Sequence, residues 1–229
     1  MKSWTNLSYA NVATTSPAAH KASMEWSDAL ARGGAAEFDG EAEKNAMMPL
    51  RRAAARLLSC EVADVCVGSS ATELLCSLAW AVSPSGGSNI VSTRTAFPST
   101  VYPWSRVAEA NGAKIRLANH DEELYTNPDD ILDLIDEATS VVTLSHVEYS
   151  TGQRYDLRRF ADAAHSVGAL LVVDASQSMG MVPIDAVSSG ADAIVSSGYK
   201  WLRGTYGAAV AYISPEIRGD LNPGGPGET

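Results

Sequence analysis

Short apolar runs alternate with segments of helical periodicity along most of this chain, from about residue 64 to residue 213. The apolar runs predict β-strands at 64–68, 89–93, 114–118, 140–147, 170–174, 191–196 and 208–213. The intervening segments predict helices at 71–83, 99–111, 128–138, 157–167 and 183–189. This order is typical of an α/β fold, in which crossover helices connect parallel strands and cover both faces of the sheet.

Both ends of the chain depart from this alternation. No helix separates the last two predicted strands, so we expect strand 208–213 to run antiparallel to its neighbour. Residues 1–62 predict an N-terminal arm and two helices, near 17–32 and 40–58, and residues 63–220 predict the sheet domain. Residues 221–229 are rich in glycine and proline and have the composition of a linker.

The composition is that of a globular protein, and the acidic net charge favours a small-molecule role. The 229 residues are 45% hydrophobic and 19% charged, which is enough to bury a sizeable core. A formal net charge of −10 offers no basic surface for nucleic acid, and no apolar run approaches the roughly 20 residues that span a bilayer. We therefore expect a cytoplasmic protein without a nucleic-acid or membrane partner.

The three cysteines indicate neither a disulfide framework nor a metal site. Cys60, Cys66 and Cys76 are odd in number and lack the spacing of zinc ligands. We expect them to be buried, reduced thiols, and we expect no metal.

Polar residues directly after the predicted strands are the first candidates for chemistry, because ligands of open α/β sheets bind outside the carboxyl ends of the strands. The turn at 68–73 opens a helix; its backbone N–H groups and the Thr72 hydroxyl suit a phosphate, although an ordinary helix cap has the same pattern. Phe97 follows the second strand and is either a ligand-facing ring or a core residue. His146 lies at the end of the fourth predicted strand, where a histidine is either catalytic or structural.

Two charged residues stand at the ends of the fifth and sixth strands. Asp174 follows an apolar run, where an unpaired carboxylate is costly to bury, so it requires a cationic partner such as a protonated ring nitrogen. Lys200 lies beside a glycine-rich loop. It is either a surface lysine or an amine that forms a Schiff base in a site of low dielectric constant.

In combination these features match pyridoxal 5′-phosphate part by part. A phosphate-binding turn, an aromatic ring, an acidic strand end and a lysine loop follow one another within one α/β domain. We assign the phosphate to Ala71, Thr72 and Ser197, and the face of the ring to Phe97. Asp174 would pair with the pyridinium nitrogen, Gln177 would contact the phenolic oxygen, and Lys200 would bind the aldehyde.

At these motifs the chain resembles the class V aminotransferase family of fold-type I pyridoxal-phosphate enzymes. Ser-Ala-Thr-Glu at 70–73 resembles the family's phosphate turn, Asp174 and Gln177 match its D-x-x-Q, and 197–200 match its S-x-[HY]-K lysine loop. The resemblance runs from about Leu7 to the end. It implies a large domain built as a three-layer sandwich, with a mostly parallel, mixed sheet of seven strands. The implied site adds Ser70, Tyr149 and Tyr199 as cofactor-binding residues and has Lys200, Asp174 and His146 as catalytic residues.

The resemblance leaves the reaction open among lyase, desulfurase and transaminase chemistry on an amino acid, through a Lys200 Schiff base. Phe97, Tyr149 and Tyr199 stand where cysteine desulfurases carry histidine, asparagine and histidine. The segments 97–99 and 146–152 are more similar to kynureninases, but Gln177 replaces the histidine expected there.

The resemblance also implies partners. Family members continue into a small domain that supplies an arginine for the substrate carboxylate, and a neighbouring subunit supplies a phosphate ligand. We therefore expect a homodimer, or a complementing C-terminal subunit. The alternative function is an incomplete or non-catalytic subunit that serves as a partner or scaffold. A nicotinamide-dependent oxidoreductase is disfavoured because no G-x-G-x-x-G follows the first strand.

Overall fold

The computed structural model describes residues 5–222. Within that range the helices are α1 (Pro17–Gly33), α2 (Gly40–Asn45), α3 (Met48–Leu58), α4 (Ala71–Val82), α5 (Pro98–Asn111), α6 (Pro128–Leu132), α7 (Leu157–Ser166), α8 (Ala186–Ser189) and α9 (Pro215–Arg218). The strands are β1 (Val65–Gly68), β2 (Asn89–Thr93), β3 (Lys114–Ala118), β4 (Thr139–Ser145), β5 (Leu170–Asp174), β6 (Ala193–Ser197) and β7 (Ala209–Ile213).

The seven strands form one mixed sheet in the order β1-β7-β6-β5-β4-β2-β3. Strands β3, β2, β4, β5 and β6 pair in parallel, as their crossover helices require. Strand β7 is antiparallel to both β6 and β1, which confirms the expectation drawn from the missing crossover.

Helices cover both faces of the sheet, so the molecule has the three layers that the resemblance implies. The residues of β5 alternate between the two faces: Leu171 and Val173 pack in one core cluster and Val172 in the other. The first cluster includes α3 and α7, and the second includes α4 and α5. Because β5 is apolar toward both layers, its sequence is a continuous apolar run.

The predicted helix 40–58 is wrong in one respect, because the chain forms two helices there. Asp39 caps α2, and α3 starts at Met48 with a proline in its first turn. Pro49 has no N–H group and its ring would clash with the carbonyl of Asn45, so one helix cannot run through this point.

The predicted helix 128–138 is also shorter in the structure, since α6 ends at Leu132. The N–H of Asp136 donates to the Thr139 hydroxyl at 2.9 Å instead of to a helical carbonyl. The Asp136 carboxylate accepts from Asn89 Nδ2 at 2.8 Å, which fixes this turn against the start of β2. The predicted helix 183–189 begins only at Ala186, where Asp185 caps it.

The cysteines are free, but the expectation that they are buried is wrong. Cys66 is exposed, and Cys60 and Cys76 are half-buried. Cys66 lies on β1, which is at the edge of the sheet that residues 5–222 form.

Within residues 5–222, no helix is long and apolar enough to cross a bilayer, and no group of metal-ligating side chains is found. Of the predicted linker 221–229, only Leu221 and Asn222 lie among the described residues.

Candidate active site

A cavity opens at the carboxyl ends of β4, β5 and β6, and we call it the strand-end cavity. Ser145 is in register with Asp174 and Asp174 with Val195, so these strands end at one level. The cavity contains every residue that the sequence predicts to bind the cofactor. Its lining is Ser70, Ala71, Thr72, Phe97, Ser99, Ser145, Val147, Tyr149, Asp174, Ser176, Gln177, Ser197, Tyr199 and Lys200.

The N-terminus of α4 forms one wall of the strand-end cavity. Ser70 caps this helix, because its Oγ accepts a hydrogen bond from the N–H of Glu73 at 3.1 Å. The N–H groups of Ala71 and Thr72 lie in the first turn, where no helical carbonyl is in reach. Thr72 Oγ1 and Ser99 Oγ are 2.8 Å apart. This arrangement of N–H and hydroxyl donors suits a phosphate.

Asp174 lies at the floor of the cavity and is buried. Its Oδ1 accepts from the N–H of Ser176 at 2.9 Å and its Oδ2 accepts from Thr100 Oγ1 at 3.1 Å. No ion pair with Asp174 occurs among residues 5–222. A cationic ring nitrogen would supply the partner that the buried carboxylate lacks.

Lys200 is the second charged residue of the cavity and is only 8% exposed. Burial lowers the pKa of its ammonium group, and the Asp174 carboxylate opposes this effect. Its Nζ lies 5.2 Å from the centre of the Phe97 ring. The loop closes tightly here, because a Cβ atom at Gly198 would lie 2.7 Å from the carbonyl oxygen of Ala208.

Ser197 carries a polar atom that the described residues leave without a partner. Its Oγ is buried and makes no hydrogen bond, while its N–H donates to Ser176 Oγ at 3.2 Å. A buried hydroxyl without a partner is costly, so a phosphate oxygen at this point would satisfy it. The residues present therefore fit pyridoxal 5′-phosphate at both its phosphate and its ring.

The Gln177 side chain is oriented by two hydrogen bonds. Trp201 Nε1 donates to Gln177 Oε1 at 2.9 Å, and Gln177 Nε2 donates to the carbonyl of Ala10 at 2.8 Å. Because Nε2 carries two hydrogens, one remains for the cavity. The N-terminal arm, residues 8–16, thus reaches the site. It continues along the lysine loop, where the N–H of Ala13 donates a hydrogen bond to the carbonyl of Tyr199 and the N–H of Ser16 donates to the carbonyl of Arg203.

Two aromatic pairs lie at the mouth of the cavity. Phe97 and Tyr149 meet edge to face with ring centroids 5.2 Å apart, and they are 38% and 48% exposed. Tyr199 stacks on Tyr206 with centroids 4.4 Å apart. The exposure of Phe97 disfavours the interpretation of this ring as a core residue.

His146 does not line the strand-end cavity, so this geometry gives no support to its predicted catalytic role, which stays a prediction. Side chains alternate along β4 and its extension, so Ser145 and Val147 face the cavity and His146 faces the opposite side. There it lines a different depression with Arg154 and Asp185. Burial and, less strongly, Arg154 lower its pKa to about 4, so the imidazole is neutral.

The sequence motifs do not single out Ser145 and Val147, which line the cavity from β4 and its extension, nor three further residues of the site. Ser99 lies in the first turn of α5, which begins at Pro98 with Phe97 in the capping position. Thr100 follows one residue later and reaches Asp174. Ser176 lies between Asp174 and Gln177, and its place within that motif was the available signal.

A buried lysine and a buried carboxylate lie at one end of a mostly parallel sheet, as the resemblance to the large domain of fold-type I pyridoxal-phosphate enzymes implies. The family model for aminotransferase class-V matches residues 12–229, and the chain belongs to this family. The resemblance drawn from the motifs is thereby confirmed.

Relatives of the chain include two kinds of enzyme. A probable cysteine desulfurase of Methanothermobacter thermautotrophicus is 34% identical over 60% of this chain and 34% of its own length. A kynureninase of Deinococcus radiodurans is 33% identical over 84% of this chain and 46% of its own. The chain thus spans less than half the length of these relatives.

Solved structures share the fold. A cysteine desulfurase of Escherichia coli superposes with a TM-score of 0.81 at 24% identity, covering 93% of this chain and 55% of that one. A cystine C-S lyase, solved with cysteine persulfide, has a TM-score of 0.84 at 21% identity and covers 93% and 58%. The same lyase has also been solved with glycine linked to its pyridoxal-phosphate cofactor.

Proposed function

We propose that the strand-end cavity binds pyridoxal 5′-phosphate and that the protein is an enzyme acting on an amino acid. The observation that carries this proposal is the buried Lys200, which shares one cavity with Asp174 and with the open N-terminus of α4. Membership of a pyridoxal-phosphate-dependent family supports it.

The cofactor would be held by groups that differ in kind. The N–H groups of Ala71 and Thr72 and the Ser197 hydroxyl would bind the phosphate, and Phe97 would face the ring. Asp174 would keep the ring nitrogen protonated, and Gln177 would donate to the phenolic oxygen. When bound, the cofactor supplies an electron sink for the bonds at the substrate's Cα.

Lys200 would attach the cofactor covalently. A neutral amine is the nucleophile, and burial favours that form by lowering the pKa of Lys200. Its Nζ would hold the cofactor at the aldehyde carbon. With the substrate in place, the Lys200 amine would be available to move a proton at the substrate's Cα.

Borohydride reduction tests the assignment of Lys200. The protein is loaded with pyridoxal 5′-phosphate, reduced, digested and mapped by mass spectrometry. We expect the label on the peptide that contains Lys200, loss of the label in Lys200→Ala, and no change in Lys114→Ala, an exposed lysine on β3. A label on another lysine, or none at saturating cofactor, would overturn the assignment.

We further propose that a second copy of the chain completes the assembly. Helix α1 has no buried residue among the described ones, although Met24, Trp26 and Leu30 lie on it. Such a helix gains little stability from packing within its own chain. Sedimentation velocity measures the assembly directly, and a monomer at micromolar concentration would contradict the homodimer.

A further inference from the structure

Glu148 is a buried carboxyl group that the assignments above leave without a role. It follows β4, directly before Tyr149, and is 1% exposed. Its Oε1 accepts hydrogen bonds from Thr93 Oγ1 at 3.1 Å and from Thr95 Oγ1 at 3.2 Å. Within residues 5–222, its Oε2 has no hydrogen-bond partner of good geometry, but the Tyr155 hydroxyl lies close enough to interact with the carboxyl.

These bonds connect two separate loops of the strand-end cavity. Thr95 lies in the loop after β2, two residues before Phe97, and Glu148 lies in the turn after β4, one residue before Tyr149. The rings of Phe97 and Tyr149 meet edge to face at 5.2 Å. The Glu148 carboxyl therefore links the two backbone segments that carry this ring pair.

We propose that Glu148 is a positioning residue, whose carboxyl joins the loop after β2 to the turn after β4 and so holds the rings of Phe97 and Tyr149 together. The effect of this arrangement on cofactor binding rests on the proposed function, because Phe97 is the ring assigned to the cofactor's face. The link between the loops is a property of the chain alone.

The neutral form of the carboxyl suits this role. No cation pairs with Glu148 among the described residues, and its titratable neighbours are Asp174 and Tyr155. Burial, with a smaller contribution from the Asp174 charge, raises the pKa of Glu148 to about 7, although the hydroxyls of the two threonines and of Tyr155 oppose the rise. The protonated carboxyl also has a hydrogen to donate from Oε2. Ionisation would place a second buried negative charge near Asp174.

Hydrogen exchange of the cofactor-free chain tests the link between the loops. At one fixed pH near 6, mass spectrometry compares the segments 93–100 and 146–153 in the wild type and three variants. We expect Glu148→Ala to speed exchange in both segments about tenfold, or about 1.4 kcal/mol of local opening free energy. Glu148→Gln should restore slow exchange, because its amide oxygen still accepts from both threonines. Glu137→Gln, an exposed surface change, is the control.

A further variant, Thr95→Val, tests the same link if Glu148→Ala does not fold. Thr95→Val removes one donor at nearly constant shape, and both segments should again exchange faster. Exchange that changes in one segment alone, or in neither, would overturn the proposal.

The pH dependence of stability tests the neutral form. A carboxyl with a raised pKa in the folded state contributes stability that is complete below the unfolded value and is lost as the pH rises through about 7. Urea unfolding from pH 5 to 8.5 should therefore show the wild type losing stability relative to Glu148→Gln. If the free energy of unfolding depends on pH in the same way in both proteins, the carboxyl is not held neutral.

Cofactor titration then separates the two proposals. We expect the dissociation constant of pyridoxal 5′-phosphate, followed by absorbance, to rise about tenfold in Glu148→Ala and to recover in Glu148→Gln. Equal affinity in all variants, with a wild type that binds, would contradict positioning of the cofactor site. A wild type that does not bind would overturn the proposed function, while hydrogen exchange would still decide the role of Glu148.

Discussion

Asp174 and Lys200 are two buried groups of opposite charge that share the strand-end cavity without forming an ion pair among the described residues. Asp174 instead accepts from Ser176 and Thr100, which fixes both of its oxygens. The carboxylate is thus oriented in advance, and Lys200 is left free to react. Preorganised groups of this kind cost little reorganisation when a ligand binds.

Asp174→Asn tests the charge of this carboxylate. The amide keeps the shape but loses the charge-assisted bond to the ring nitrogen, so we expect cofactor binding to weaken by roughly 1.5–3 kcal/mol. Titration with pyridoxal 5′-phosphate measures this loss. Asp133→Asn, an exposed change, should have no effect. Unchanged affinity in Asp174→Asn would contradict the pairing with the ring nitrogen.

At the scale of elements, the lysine loop between β6 and β7 is held by the N-terminal arm. Arg203 lies in this loop at a left-handed φ of 54°. Its side chain donates to the carbonyl of Thr14 at 3.3 Å and lies over the Tyr9 ring. Arg203 thus contacts the N-terminal arm while its backbone has a conformation that residues other than glycine rarely adopt.

Two substitutions at Arg203 separate the backbone from the side chain. Arg203→Ala and Arg203→Gly both remove the contacts with the arm, but only glycine relieves the left-handed conformation. We expect the glycine variant to be more stable than the alanine variant by about 1 kcal/mol. Urea unfolding measures the difference, and an alanine variant of equal or higher stability would show that the loop is not strained.

Trp201→Phe tests the orientation of Gln177. Without the indole N–H, the amide loses the bond that fixes its oxygen and is free to turn its N–H groups away from the cavity. We expect cofactor affinity to fall by about 0.5–1.5 kcal/mol. Trp80→Phe, a change at a half-exposed tryptophan on α4, is the matched control. An equal loss of cofactor affinity in both variants would point to a general effect on the fold.

The elements that the sequence predicts well are those with a local signal. Strands β2, β3 and β5 have the predicted bounds. Burial on both faces makes β5 a continuous apolar run, whereas β3, at the edge of the described sheet, is only partly buried and alternates polar with apolar residues. The break at Pro49 and the direction of His146 also have local signals, which are the proline itself and the alternation of side chains along a strand. The bond of Gln177 to Ala10 spans 167 positions, and no local pattern indicates a contact of that kind.

At the scale of the whole molecule, the described residues supply the contacts of the proposed cofactor site but no arginine for the substrate carboxylate. Such a carboxylate is normally bound by a bidentate arginine, yet no described arginine lines the strand-end cavity. Arg94 bonds to Asn119, Arg203 holds the arm, and Arg154 lines the depression beside His146. The relatives are more than twice as long as the matched segments.

Because the described residues offer contacts for the cofactor but no arginine for the substrate, we expect the 229-residue chain by itself to bind pyridoxal 5′-phosphate but to turn over amino acids slowly or not at all. The cofactor would be held by the phosphate turn, Asp174 and Lys200, whereas a substrate without a carboxylate clamp would not be oriented for reaction. Steady-state assays with a panel that includes cysteine and kynurenine measure turnover, and sedimentation reports the assembly in the same samples. Rapid turnover would contradict the prediction and direct the search for a clamp to residues outside the strand-end cavity, first to the N-terminal arm, which already reaches Gln177.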